Sequence, residues 1–331
     1  MIAVGMIVTL LTLYYISGQV DFTLFIHALQ TAEYQYVISC MILLLIGLFT
    51  RALRWHVLLD RDLPLSRAFS IMNVAYLVNG IFPLRIGEVA RVYLASRLHE
   101  PIPIPRTTST IIVERLLDLI SIVLMVLLAL VLGSVPDELR MVSGVAAVLA
   151  LGGFGVLLFL AWKQDSSIHW FRLIVLHVPF LHRLGVLDTW FQQFLDGVRP
   201  LTIPRIFLQV TIWTGLSWML SIVAGYVLMF AFFEQANIAA TMLYIAAAAF
   251  AIALPAVPGN IGTYEASILL ALMAMGYEKS STAVAFAVMV HAVNVFVHAS
   301  TGLVGFIQEG ISLDQLSRGV QQIQTQSNRV G

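Results

Sequence analysis

The chain has 331 residues, 60% of them hydrophobic and only 11% charged, and its 18 basic and 18 acidic residues cancel to a formal net charge of zero. A soluble protein carries about a quarter charged residues, so most of this chain is solvated by lipid; a mean hydropathy of +0.91 agrees. The single Cys40, inside an apolar run, excludes a disulfide framework.

Taken in chain order, the first segment, Met1 to Ser17, lacks the basic start and small-residue cleavage site of a signal peptide. It reads as a first membrane helix, short against the ~20 residues a span needs. Loop 18–35 carries no Lys or Arg, and apolar runs long enough to cross follow at 36–57, 109–132, 141–162, 206–232 and 281–307. Two further apolar regions are interrupted: 68–98 at Asn79-Gly80 and Pro83, and 241–275 at Pro255, Pro258, Gly259 and Gly262. Irregular backbone at membrane depth survives only against protein or a wet cavity. Both regions are therefore expected to be helical hairpins, each returning to its own side. Segment 163–205 interleaves aromatic, His and Arg residues with apolar ones, as helices lying in the interface plane do. The tail after about 308 is polar and Gln-rich, and is expected to fray.

Charge placement supports the hairpins. With a cytoplasmic N-terminus, Arg51, Arg54, Arg61, Arg67 and the basic residues of 163–205 all fall inside, while only Arg140 and Lys279 fall outside. A single pass through 68–98 would move the basic loop 163–205 to the wrong side. The expected fold class is all-α: a polytopic membrane protein with about six transmembrane helices plus two re-entrant helical hairpins in an inverted repeat. One transmembrane domain over 1–308 divides into pseudo-repeats of about 1–133 and 139–308, and 309–331 forms a cytoplasmic tail. Inverted repeats with broken helices are the architecture of secondary transporters. A faint internal echo agrees. Pro83, Gly87 and Glu88 run as Pro258, Gly262 and Glu265 do, and 26 residues past each Glu stand Glu114 and His291.

A charged group inside the bilayer costs roughly 2.5–3.5 kcal/mol on insertion scales, so each needs a partner or a purpose. Arg51 and Arg54, with Trp55, close a span, where such residues serve as interfacial anchors or capture lipid phosphate. Asn79, Arg85, Glu88 and Arg91 surround the first hairpin break. Glu88 suits the first turn of a helix, and Arg85 is placed to pair with it or with an anionic head group. Glu114, Arg115 and Asp118 follow; Glu114 and Asp118 share one helix face, and Arg85 or Arg91 is the cation expected between them. In the second half, Glu265 follows the PAVPGNIG turn, and His291, Asn294 and His298 share one face of the last span. That set reads as packed polar residues or a proton relay; two His seven residues apart are a weak metal pattern. No nucleotide loop, zinc pattern or nucleophile elbow is present, and nothing implies nucleic acid, a metal or a cofactor.

Four stretches in order, RALRWHVLL, NGIFPLRIGEVAR, VERLLDL and PAVPGNIGTYEA, resemble the lysylphosphatidylglycerol-synthase transmembrane domain family of flippase-like membrane proteins, from about 40 to 307. In the full-length synthases the membrane part looks like a lipid flippase, and a separate soluble domain transfers the aminoacyl group. This chain ends about two dozen residues past its last span, so it is expected to be a stand-alone member. By motif, Asn79, Pro83, Arg85, Gly87, Glu88, Arg91, Glu114, Arg115, Asp118, Pro258, Gly259, Gly262 and Glu265 fall at family positions; His291 stands where the pattern calls for Arg. The resemblance implies a bacterial inner-membrane transporter, not an enzyme, moving a lipid or isoprenoid of anionic-phospholipid or hopanoid type. Both termini would be cytoplasmic, and the partners would be membrane lipids and lipid-biosynthesis enzymes. The alternatives are a membrane-embedded transferase acting on a polyprenyl lipid and a non-transporting scaffold for lipid enzymes.

Overall fold

The uninterrupted apolar runs form helices that satisfy their own backbone, as lipid demands. In a computed structural model, the structure describes residues 21–82, 85–132, 137–177, 187–253, 258–278, 280–311, 315–316 and 318. Among them are α1 (Phe22–Thr31), α2 (Tyr34–Leu58), α3 (Leu65–Ile81), α4 (Ile86–Ser96), α5 (Ile104–Leu132) and α6 (Asp137–Trp162). After these come α7 (Gln164–His177), α8 (Leu187–Val198), α9 (Pro204–Met229), α10 (Ile238–Ala253), α11 (Thr263–Ala274) and α12 (Ser281–Glu309). Helices α2, α5, α9 and α12 are each long and apolar enough to cross a bilayer. The run expected at 141–162 is α6, 26 residues long. Large apolar side chains such as Ile42, Leu124, Leu128, Phe296 and Leu303 point outward from these helices, which water would penalise and lipid does not. The chain is a polytopic all-α membrane protein. Its expected N-terminal helix, 1–17, lies outside the described residues.

Both interrupted regions are hairpins of short helices. At 11 and 12 residues, α4 and α11 are each roughly 16–18 Å long, about half the ~30 Å hydrocarbon core. Pro83 and Pro255 lie outside the described residues. Around them both breaks use a positive φ: the residue capping α4, Arg85, has φ 56 and ψ 38, and the residue capping α11, Gly262, has φ 87 and ψ −52. Gly259 (φ 69) and Asn260 (φ 53) add two more left-handed residues to the second break. Gly87 lets α4 close on α3: its N–H donates to the Asn79 side chain at 2.8 Å, and a Cβ there would run into the Ala75 carbonyl.

The packing of the two halves is reciprocal. Helices α2 and α9 form the most extensive pair. The first arm of each hairpin lies along the last span of the other half, α3 on α12 and α10 on α5. Within each half, α3 packs on α4 as α10 packs on α11, and α4 on α5 as α11 on α12. The two hairpins also meet, since the Pro258–Asn260 turn packs against α3 and a Cβ on Gly259 would sit 3.6 Å from the Gly80 carbonyl.

Three expectations need correction. Loop 18–35 contains α1, nucleated by Asp21, whose carboxylate accepts from the Thr23 and Leu24 N–H groups at 2.8 and 3.1 Å. Segment 163–205 does not simply lie on the surface. Val198 of α8 enters a core with Val57, Val113 and Leu117, Leu195 is fully buried, and Gly197 allows α8 to touch the backbone of α5 at Arg106. Its outer part is solvated: Arg172 holds Asp188 at 2.7 Å, which keeps that carboxyl below the usual range. In the tail expected to fray, Leu316 is buried in the cluster that holds Leu59 and Leu63, and residues 319–331 lie outside the described residues.

Candidate functional site

The charged residues singled out in the first half converge where α2, α4 and α5 meet. Arg54, placed near the end of α2 as an interfacial anchor would be, is only 2% exposed. Its Nη1 donates to Asp118 Oδ1 at 2.7 Å, and its Nε lies 3.4 Å from Glu114 Oε1. The other Glu114 oxygen meets Arg91 Nη1 at 2.6 Å. Glu114 is 1% exposed and Arg91 also 1%, so one carboxylate bridges two buried guanidinium groups. Trp55 completes the nest: the Arg91 guanidinium lies 3.7 Å above its ring, and the indole N–H donates to Thr110 at 3.2 Å. Removing one member of such a buried pair costs about 3–5 kcal/mol, because the other is left uncompensated.

Next to this core is a more open layer. Arg115 Nη2 meets Glu88 Oε1 at 3.0 Å, and its Nη1 lies 3.5 Å from Asp118 Oδ2. Trp218 of α9 donates to Asp118 at 3.3 Å, and Arg51 lies 5.6 Å from the Trp218 ring. Arg85, at the N-terminus of α4, is within electrostatic reach of Arg115, Glu88 and Asp118. Among the described residues no carboxylate or hydrogen-bond partner holds its side chain. The pairing differs from the one expected. The cation between Glu114 and Asp118 is Arg54, with Arg91 on Glu114 alone, and Glu88 pairs with Arg115, not with Arg85. Asn79 serves the turn through Gly87. Trp218, Thr110 and Thr214, whose hydroxyl lies 3.5 Å from Arg54 Nη1, were invisible as site residues, being uncharged and indistinguishable in sequence from packing residues.

The second hairpin holds a smaller centre. One oxygen of Glu265 accepts from the Gly262 N–H at 2.7 Å, capping α11, and the other meets His291 Nδ1 at 2.6 Å. The Tyr264 ring lies 4.6 Å from that of His291. Asn294 turns back to the Val290 carbonyl at 2.8 Å, and His298 packs on Tyr76 with ring centroids 5.1 Å apart. The His291, Asn294 and His298 face is therefore not one site. No hydrogen bond or ion pair among the described residues joins Glu265 and His291 to the arginine cluster. Glu88 and Glu265 do occupy the same place in their hairpins, the third residue of the second arm, and each reaches across to the last span of its own half.

A helical membrane protein with a buried arginine–carboxylate network beside a broken helix is thereby defined. The chain belongs to the family described as the lysylphosphatidylglycerol synthase TM region, which its residues 2–302 match. It is also similar to glycosyltransferase AglD of Haloferax volcanii, with 24% identity over 94% of this chain and 55% of the relative. The chain thus spans about half the length of that curated relative. No solved structure matches it. The expectation that the chain is not an enzyme does not stand, since a protein similar along nearly all of it is named a glycosyltransferase.

Proposed function

We propose that the chain binds the anionic head group of a membrane lipid or isoprenoid at the arginine cluster and carries it across a bacterial inner membrane, in the manner of a flippase. The observation that carries this reading is Arg85. Five arginines, Arg51, Arg54, Arg85, Arg91 and Arg115, stand with three carboxylates, Glu88, Glu114 and Asp118; among the described residues no carboxylate holds Arg51 or Arg85, and of these two Arg51 lies against the Trp218 ring while Arg85 has no such contact. Excess positive charge in a low-dielectric setting calls for an anion. The N-terminus of α4 adds a positive dipole end at the same place, as half-helices do at anionic substrates. Arg91, by contrast, is occupied by Glu114 and Trp55, so Arg85 is the arginine that first meets the head group. Family membership supports a lipid as the cargo.

A second reading is favoured by the name of the relative. A membrane-embedded transferase acting on a polyprenyl lipid would use the same cluster to hold the lipid phosphate. Reconstitution into liposomes with a panel of labelled lipids separates the two. The transport reading expects movement of an anionic or isoprenoid lipid that an Arg85→Ala, Glu88→Ala double variant loses while remaining folded. Sugar transfer to a polyprenyl lipid, with no lipid movement, would replace transport by the transferase reading.

A further inference from the structure

The buried core of the cluster has a feature that charge balance alone does not require. Glu114 spans Arg54 and Arg91 with its two oxygens, at 3.4 and 2.6 Å, in the way a phosphate would span two guanidinium groups. Arg91 leaves Nε and Nη2 buried with no hydrogen-bond partner, while Arg54 Nε meets Glu114 Oε1 only as a 3.4 Å ion pair. Buried donors without acceptors are rare and costly; two of them sit on Arg91, whose one carboxylate also serves Arg54. Arg54 is held independently by Asp118, and Arg91 by the face of Trp55. Both would therefore stay in place if Glu114 let go.

We propose that Glu114 is an internal stand-in for the head-group phosphate, and that anion binding takes up one proton at Glu114, which frees Arg54 and Arg91 for the incoming oxygens. This rests on the head-group reading above and assigns the site its means of coupling. The charged groups facing Glu114 are Arg54 from α2 and Arg91 from α4; on α5 itself Arg115 and Asp118 flank it. Tyr76 of α3 lies within electrostatic reach of Arg54 and Arg115. From α9 the cluster receives only the uncharged Thr214 and Trp218. On α8, Asp188 and Asp196 are taken by Arg172 and Gln164. The acidic residues that open α6 stand at the far end of α5 from Glu114, and α10 has no charged residue. Glu114 is thus the carboxylate whose neutralisation changes what the two sealed arginines can bind.

The test is calorimetric titration of the full chain in detergent with dihexanoyl phosphatidylglycerol, whose phosphodiester does not titrate near neutral pH. Repeating it in buffers of different ionisation heat counts protons. The wild type is expected to take up close to one proton per lipid, with affinity rising up to about tenfold per pH unit lowered. Glu114→Gln should bind more tightly at neutral pH, with that dependence gone. Binding by the wild type without proton uptake overturns this inference and leaves the head-group reading intact, whether or not the variant folds. Absence of binding by folded wild type overturns both.

Discussion

Arg85 keeps a left-handed backbone conformation, φ 56 and ψ 38, at a cap where the other hairpin meets its own positive φ with a glycine, Gly262. For a residue with a Cβ that conformation costs on the order of 1 kcal/mol or more, and it is tolerated where the side chain has work to do. Arg85→Gly and Arg85→Ala should therefore both lose lipid movement yet differ in stability, with the glycine variant the more stable by about 1 kcal/mol. Thermal unfolding in detergent compares them, and an alanine variant as stable as the glycine one would remove the strain argument. At this scale the sequence was half legible. That Arg85, Glu88, Arg91, Glu114 and Asp118 belong together follows from charges that must find partners in lipid. Which partner each takes does not follow. Arg54 near a helix end has the hydropathy of a snorkelling anchor, and only the crossing of α2 with α5 places it on Asp118.

Helices α3 and α12 approach closely because α12 carries glycines on the facing side. A Cβ on Gly305 would lie 2.7 Å from the Ser70 carbonyl, and one on Gly302 would lie 2.8 Å from the Asn73 carbonyl. The Thr301 hydroxyl donates to the Asn73 side chain at 3.0 Å between them. Gly305→Leu should push the helices apart and cost about 1–3 kcal/mol. Gly47→Ala on α2, whose new Cβ would find Leu220 at 3.9 Å, should be nearly silent. Equal losses from the two would show that backbone approach is not what holds α3 to α12. The spans and both hairpins were readable as apolar runs and their Pro/Gly interruptions. The docking of α8 on α5 was not. Its aromatic and basic residues have the composition of an interfacial helix, and the contact depends on one small residue, Gly197, meeting one stretch of backbone.

For the whole molecule, the reciprocal pairing of α3 with α12 and α10 with α5 follows from a weak sequence echo only once the hairpins are granted. Its orientation in the bilayer rests on charge bias. Cys40 is buried, so single cysteines introduced elsewhere can be labelled over a quiet background. Cysteine at Gln164 is expected to react from the cytoplasmic side, and cysteine at Glu234 only from the opposite one; labelling of both from one side would overturn the proposed topology. The frame is shared between two halves, but the arginine cluster belongs to the first half alone. Its formal excess of two positive charges makes the empty site an electrical object. Any shift of that cluster through the membrane field is worth about 2.3 kcal/mol per charge for every 100 mV. A bound dianion, taken up with one proton at Glu114, would leave one positive charge. The empty site would then feel the membrane voltage twice as strongly as the loaded one.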